Sequence, residues 1–124
     1  MQFDNSAPIW QQLVHECSRR IVTGEWPAGG KVPGVRDLAV EMGVNPNTMQ
    51  RALGELDRDG ITISDRTVGR YVTQDTKRID ELRNTLAAAS VDEFIRKIQG
   101  LGGTLEGARA LLAQRWQQQK EEPQ

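Results

Sequence analysis

Apolar residues recur at intervals of three and four along most of this chain, and the rhythm breaks where glycine and proline cluster. Residues 1–7 carry no such rhythm and read as a frayed start. From Pro8 to about Thr23 the stripe is Ile9, Trp10, Leu13, Val14, Cys17, Ile21 and Val22. That predicts a helix with Pro8 in its first turn and Gly24 at its C-cap. Glu25 to Gly34, EWPAGGKVPG, is a loop by composition, with Trp26 as a lid on the core and a very short strand at Lys31-Val32. Residues 35 to 60 hold two short amphipathic helices. Leu38, Ala39 and Met42 make the apolar face of one; Met49, Ala52, Leu53 and Leu56 make that of the other. A tight turn at Met42-Gly43-Val44 joins them. The second opens on Asn45-Pro46-Asn47-Thr48, where Asn45 suits the cap and Pro46 the first helical position. Ile61-Thr62-Ile63 and Tyr71-Val72-Thr73 alternate as strands, and Ser64 to Gly69 links them as a hairpin in which Gly69 can take a positive φ.

Three helices followed by a hairpin describe a winged helix-turn-helix, here over residues 1–75. With its apolar face turned inward, the third helix leaves Asn47, Thr48, Gln50 and Arg51 pointing out near its N-terminus. That is the end of a recognition helix that meets base edges and phosphates. Residues 76–124 change character. Ile79, Leu82, Leu86, Phe94, Ile95, Ile98 and Leu101 recur at helical spacing up to Gly102-Gly103. Ser90-Val91-Asp92-Glu93 either starts a new helix as a capping box or lies inside one long helix. Thr104 caps a last helix over about Leu105 to Gln118, with Leu105, Ala108, Leu111, Leu112 and Trp116 on its apolar face. The tail 117–124, QQQKEEPQ, is polar and expected to be disordered. Amphipathic helices without a core of their own must pack on something, and a second copy is the economical answer. The expected dimer face is Ile79, Leu82, Leu86, Phe94, Ile98, Leu111 and Trp116. The fold class is therefore mainly α (α+β): a winged helix-turn-helix followed by a short C-terminal helical dimerisation segment. A two-fold dimer would place two recognition helices ~34 Å apart, one duplex turn.

Charge complicates this picture. The 124 residues carry net charge −1, and residues 1–75 have 8 basic against 10 acidic side chains, whereas DNA-binding domains are usually basic. Placement matters more than the sum. Lys31, Arg36, Arg51, Arg66 and Arg70 can converge on one surface, while Glu55, Asp57 and Asp59 sit at the far end of the third helix. Weak non-specific binding and a moderate salt dependence follow. Bland roles exist as well: Arg36 can pair with Asp37 or Glu41, Arg51 with Glu55, and Asn45 can serve as a cap alone. The acidic balance also admits a winged-helix protein-interaction module that does not bind DNA. An enzyme is not indicated, because one His, one Cys and no phosphate loop or carboxylate cluster supply no site. Cys17 lies on the apolar stripe and reads as a small core residue. His15 and Cys17, two apart on a helix, do not face each other as a metal pair would. No metal or cofactor is expected. No apolar run approaches the ~18 residues of a membrane span, and neither an export leader nor a disulfide partner is visible, so the cytoplasm, and there the nucleoid, is the expected location.

The stretch from Pro8 to the wing resembles the GntR family of bacterial transcriptional regulators, and within it the small YtrA-like branch. The matching elements are the P-I-aromatic-x-Q-L opening, a G-x-x-x-x-G-x-x-[LV]-P loop, the V-R-x-L-A helix, V-N-x-x-T at the start of the recognition helix, and L-x-x-x-G-[IL] before the wing TVGRYV. The resemblance covers residues 8 to about 73. It implies a homodimeric repressor on an inverted-repeat operator in double-stranded DNA. It further implies DNA contacts from Arg36, Asn45, Asn47, Thr48, Gln50 and Arg51, with Gly69 and Arg70 in the wing. Arg can grip guanine bidentately or bind phosphate, and Asn or Gln can do likewise with adenine. Two positions depart from the family pattern. Gly34 stands where Ser is usual, removing a hydroxyl that can cap the second helix, and Thr67 stands where the wing commonly has its first Gly. Larger relatives carry a ligand-binding or aminotransferase-like domain that about 50 residues cannot build, so the effector is unknown. Kinship also suggests control of transporter genes.

Overall fold

The computed structural model describes residues 1–121. Its elements are α1 (Ile9–Val22), α2 (Val35–Met42), α3 (Pro46–Arg58), β1 (Thr62–Asp65), β2 (Gly69–Val72), α4 (Thr76–Gly100) and α5 (Leu105–Glu121). They form two compact units, one reaching from Met1 to Leu86 and the other beginning at Ala87. No helix among the described residues is long and apolar enough to cross a membrane.

In the first unit α1 and α2 both pack on α3. The core is built from Leu13, Cys17 and Ile21 of α1, Leu38 and Met42 of α2, and Met49, Leu53 and Leu56 of α3, all essentially inaccessible. Burying a side chain of this size contributes roughly 1.5–3 kcal/mol each before entropy is counted. Gly43 ends α2 in the left-handed region (φ 69°), and the Gly43 and Val44 amides donate back to the Val40 and Ala39 carbonyls. That closes the turn between α2 and α3. Trp26 is buried against the same core as expected. Residues 1–7 are less frayed than their sequence suggests: Phe3 packs against the core, and the Gln12 amide donates to the Asp4 and Ala7 carbonyls.

The hairpin pairs Thr62 with Val72, Ile63 with Tyr71, Ser64 with Arg70 and Asp65 with Gly69. Lys31 adds an isolated bridge to Tyr71, and the Val32 amide donates to the Arg70 carbonyl at 2.9 Å. The short strand expected at Lys31-Val32 is therefore a third, minimal edge. The apolar alternation expected around Ile61-Thr62-Ile63 is reversed in part. Ile61 is buried before the strand begins, Thr62 is buried within it, and Ile63 is 57% exposed. Asp57 of α3 accepts the Thr62 hydroxyl at 2.5 Å, which satisfies Thr62 in its buried position, and the Ser64 hydroxyl at 2.7 Å while Ser64 stays exposed.

The first unit does not stop at residue 75. Ile79, expected on a dimer face, is 7% exposed in the protomer's own core, and Leu82 packs partly against it. Two arginines hold this part of α4 in place. Arg78 donates to the Asp59 carbonyl at 3.1 Å, at the end of α3, and Arg83 to the Val22 carbonyl at 2.8 Å, at the end of α1. Cations are favourable at such carbonyl ends. Ser90 lies inside α4, which is a single helix of 25 residues.

In the second unit, the later part of α4 and α5 form a helical hairpin. It turns at Gly102 (φ 77°) and at Gly103, where a Cβ would stand 2.6 Å from Ile98 Cγ2. The Thr104 hydroxyl caps α5 by accepting the Gly107 amide at 3.2 Å. Residues 117–121, expected to be disordered, continue α5. Gln and Lys are good helix formers, and Gln117 donates to Glu121 one turn on, at 3.2 Å. Residues 122–124 of that tail lie outside the described residues. None of the hairpin's described side chains is buried. Phe94 and Ile98 are half-covered, whereas Leu101, Leu105 and Trp116 are 85, 71 and 64% exposed.

Candidate nucleic-acid interface

α3 begins where its capping chemistry makes it begin. Asn45 is extended, its side-chain oxygen accepts the Asn47 amide at 2.8 Å, and its carbonyl accepts the Met49 amide at 3.1 Å. Pro46 fills the first position, where a missing amide costs nothing. Remaining unbonded amides and the aligned peptide dipoles make this end electropositive. No carboxylate lies in its first turn. Asn47, Gln50 and Arg51 are exposed there, and Thr48 is half-buried. Asn45 is thus engaged as a cap through one side-chain atom while remaining exposed itself.

The basic residues differ in what they are bound to, and two of them, Lys31 and Arg70, line one groove. Arg36, the second residue of α2, is exposed and has no ion-pair partner among the described residues; Glu41, one of its two candidate partners, binds Arg20 at 2.6 Å instead. Glu55, the candidate partner of Arg51, binds Arg58 at 2.9 Å. The Arg51 guanidinium lies over the Trp10 ring of α1, 4.2 Å from its centroid. Lys31 and Arg66 are exposed. Lys31, Gly34, Val35 and Gly69 line a groove between the start of α2 and the wing.

Arg70, expected to contact DNA, is instead engaged within the protein. Its Nε and Nη2 donate to the two Asp57 carboxylate oxygens at 3.0 and 2.9 Å, and its side chain is only 12% exposed. That pairing uses two of the five guanidinium N–H donors, neutralises the charge and holds the side chain back against α3. Burial pushes the Asp57 carboxyl up, but the hydrogen bonds from Arg70, Thr62 and Ser64 outweigh it and hold the group below its usual range. Gly69 keeps its place in the wing for two steric reasons. Its φ is 100°, and a Cβ there would sit 3.3 Å from the Lys31 side chain. The wing tip without the family's first glycine is organised by Asp65, whose carboxylate accepts the Thr67 amide at 2.7 Å.

Behind this surface, Arg20 joins α1 to α2 and the loop. It pairs with Glu16 and Glu41 and lies 5.6 Å from the Trp26 ring centroid. Hydrogen bonding from Arg19, opposed by burial and reinforced by Arg20, holds the Glu16 carboxyl down at about 2. Burial pushes the Cys17 thiol up to about 12, so it is inert core. Sequence reasoning missed Trp10 and Asp57 as participants. Each acts on a residue 41 or 13 positions away, and no local pattern signals such a pair.

Residues 10–72 match the family model described as "Bacterial regulatory proteins, gntR family". The HTH-type transcriptional regulator YhcF of Bacillus subtilis is 35% identical over 105 residues, covering 85% of this chain and 87% of that one. The HTH-type transcriptional repressor YtrA of Bacillus subtilis is 36% identical over 73 residues, 59% of this chain and 56% of its own length. Among solved structures, a GntR family transcriptional regulator from Listeria monocytogenes superposes with a TM-score of 0.80 at 40% identity, covering 90% of this chain and 98% of that one.

Proposed function

Because the chain belongs to the GntR family of bacterial regulatory proteins and is a DNA-binding transcriptional regulator, we propose that it acts as a homodimeric repressor. In this reading it sits on the cytoplasmic nucleoid and occupies an inverted-repeat operator, with transporter genes among its targets. The observation that carries it is the capped, carboxylate-free first turn of α3, which presents Asn47, Gln50 and Arg51 outward. Arg36 supplies a phosphate contact beside it, and Gly69 lets the wing backbone come close to the duplex. The dimer forms through the C-terminal hairpin, whose Phe94, Ile98, Leu111 and Trp116 have no core of their own. The repressor character is supported by the likeness to YtrA.

Gel shift of the promoter of its own operon, followed by footprinting, tests this. Arg36→Ala and Arg51→Ala are expected to weaken binding with the fold retained, each reducing the salt slope by about one. Unchanged binding in both would remove the assigned contacts. A reporter behind that promoter should rise when the gene is deleted; a fall would make the protein an activator. The net charge of −1 and the sequestered Arg70 favour one rival, a winged-helix module for protein partners. A chain that binds no duplex at low salt would support that rival.

A further inference from the structure

We propose that Trp10 of α1 is a positioning residue for DNA recognition: its ring holds the Arg51 guanidinium flat, so that the arginine meets the duplex edge-first. This rests on the DNA-binding reading above. The guanidinium has a face, which stacks, and an edge, which carries its five N–H donors. The Arg51 Cζ lies over the Trp10 ring, 4.2 Å from its centroid, a separation that suits stacking of the guanidinium face on the ring. Its N–H donors are uncommitted: the arginine is exposed and neither hydrogen-bonded nor ion-paired among the described residues. Trp10 can serve as a platform because it is half-buried on α1, which packs directly on α3. A free arginine on a helix surface surrenders much of its rotamer freedom when it binds. One already stacked surrenders less and arrives with its fork oriented. Glu55 does not compete, being held by Arg58. The aromatic residue near the start of α1 thereby belongs to the reading surface without touching DNA.

The test uses the full chain and a duplex selected by the wild-type protein from a random library, with binding titrated at several salt concentrations. Trp10→Leu is expected to weaken binding about three- to tenfold at an unchanged salt slope, because no charge is lost, and Trp10→Tyr should restore most of it. In the Arg51→Ala background Trp10→Leu should change nothing further. Circular dichroism and thermal melting report whether Trp10→Leu folds. If it does not, Trp10→Phe takes its place, with an expected loss of about two- to threefold that vanishes in the Arg51→Ala background. Wild-type affinity in the folded ring variants, or losses that add to that of Arg51→Ala, would overturn the positioning role. A wild-type chain that enriches no duplex at all would instead overturn the DNA-binding role, and this proposal with it.

Discussion

Two single residues set how tightly the reading surface is made. Gly34 caps α2 without a side chain, its backbone (φ −64°, ψ 154°) suits any residue, and the nearest atom to an added Cβ is an Asp37 oxygen at 3.9 Å. Gly34→Ser should therefore stabilise the protein by about 0.5–1 kcal/mol in urea denaturation, by adding a cap and stiffening the unfolded chain. It should also tighten operator binding if the hydroxyl reaches a phosphate. Asp57 works in the opposite sense. It gathers Thr62, Ser64 and Arg70 onto one carboxylate. Asp57→Ala strands a largely covered arginine, and should cost about 2–4 kcal/mol, measured the same way. Sequence pattern had assigned Arg70 to DNA because the surrounding wing residues fit the family. A charge is legible in a sequence, but the carboxylate that neutralises it from a different element is not.

At the scale of elements, helix boundaries were the most legible feature. Asn45-Pro46 and Gly43 specify the ends of α3 and α2 chemically, and the structure places both where that chemistry requires. The strand alternation misled in part: Ile61 is buried, but Thr62 is buried beside it and Ile63 faces out. The carboxylate of Asp57, which receives the Thr62 hydroxyl, comes from another element and is not legible in the strand's own pattern. The junction of α1 with α2 makes a prediction in pH. Glu16, held at about 2 by Arg19 and Arg20, has an ordinary value of 4.5. A carboxyl whose folded value lies below its unfolded value contributes stability above the unfolded value and loses it as pH falls through the folded one. The urea midpoint should thus decline between about pH 5 and pH 2. Glu16→Gln should be less stable near neutrality and show a shallower acid decline; an unaltered slope would mean the pairings with Arg19 and Arg20 contribute nothing.

For the molecule as a whole, the question is what covers the C-terminal hairpin. With Leu105, Trp116 and Leu101 between 64 and 85% exposed, this part of the chain is short of the burial a stable unit needs. Light scattering at micromolar concentration should report a dimer whose melting temperature rises with concentration. Trp116→Ser together with Leu111→Ser should shift it toward monomer while leaving the first unit folded. The segment's helical character was legible from its periodicity, but the boundary at Leu86 was not. It depends on Ile79 finding the core and on Arg78 and Arg83 finding two helix ends, contacts that no spacing rule encodes. The Asp57–Arg70 pair has one further consequence, for engineering. Asn47 and Gln50 at the start of α3 make no side-chain hydrogen bond among the described residues and can be exchanged to retarget the protein, whereas a wing grafted from a relative must bring an arginine at position 70 to meet Asp57 of α3 or arrive unmoored.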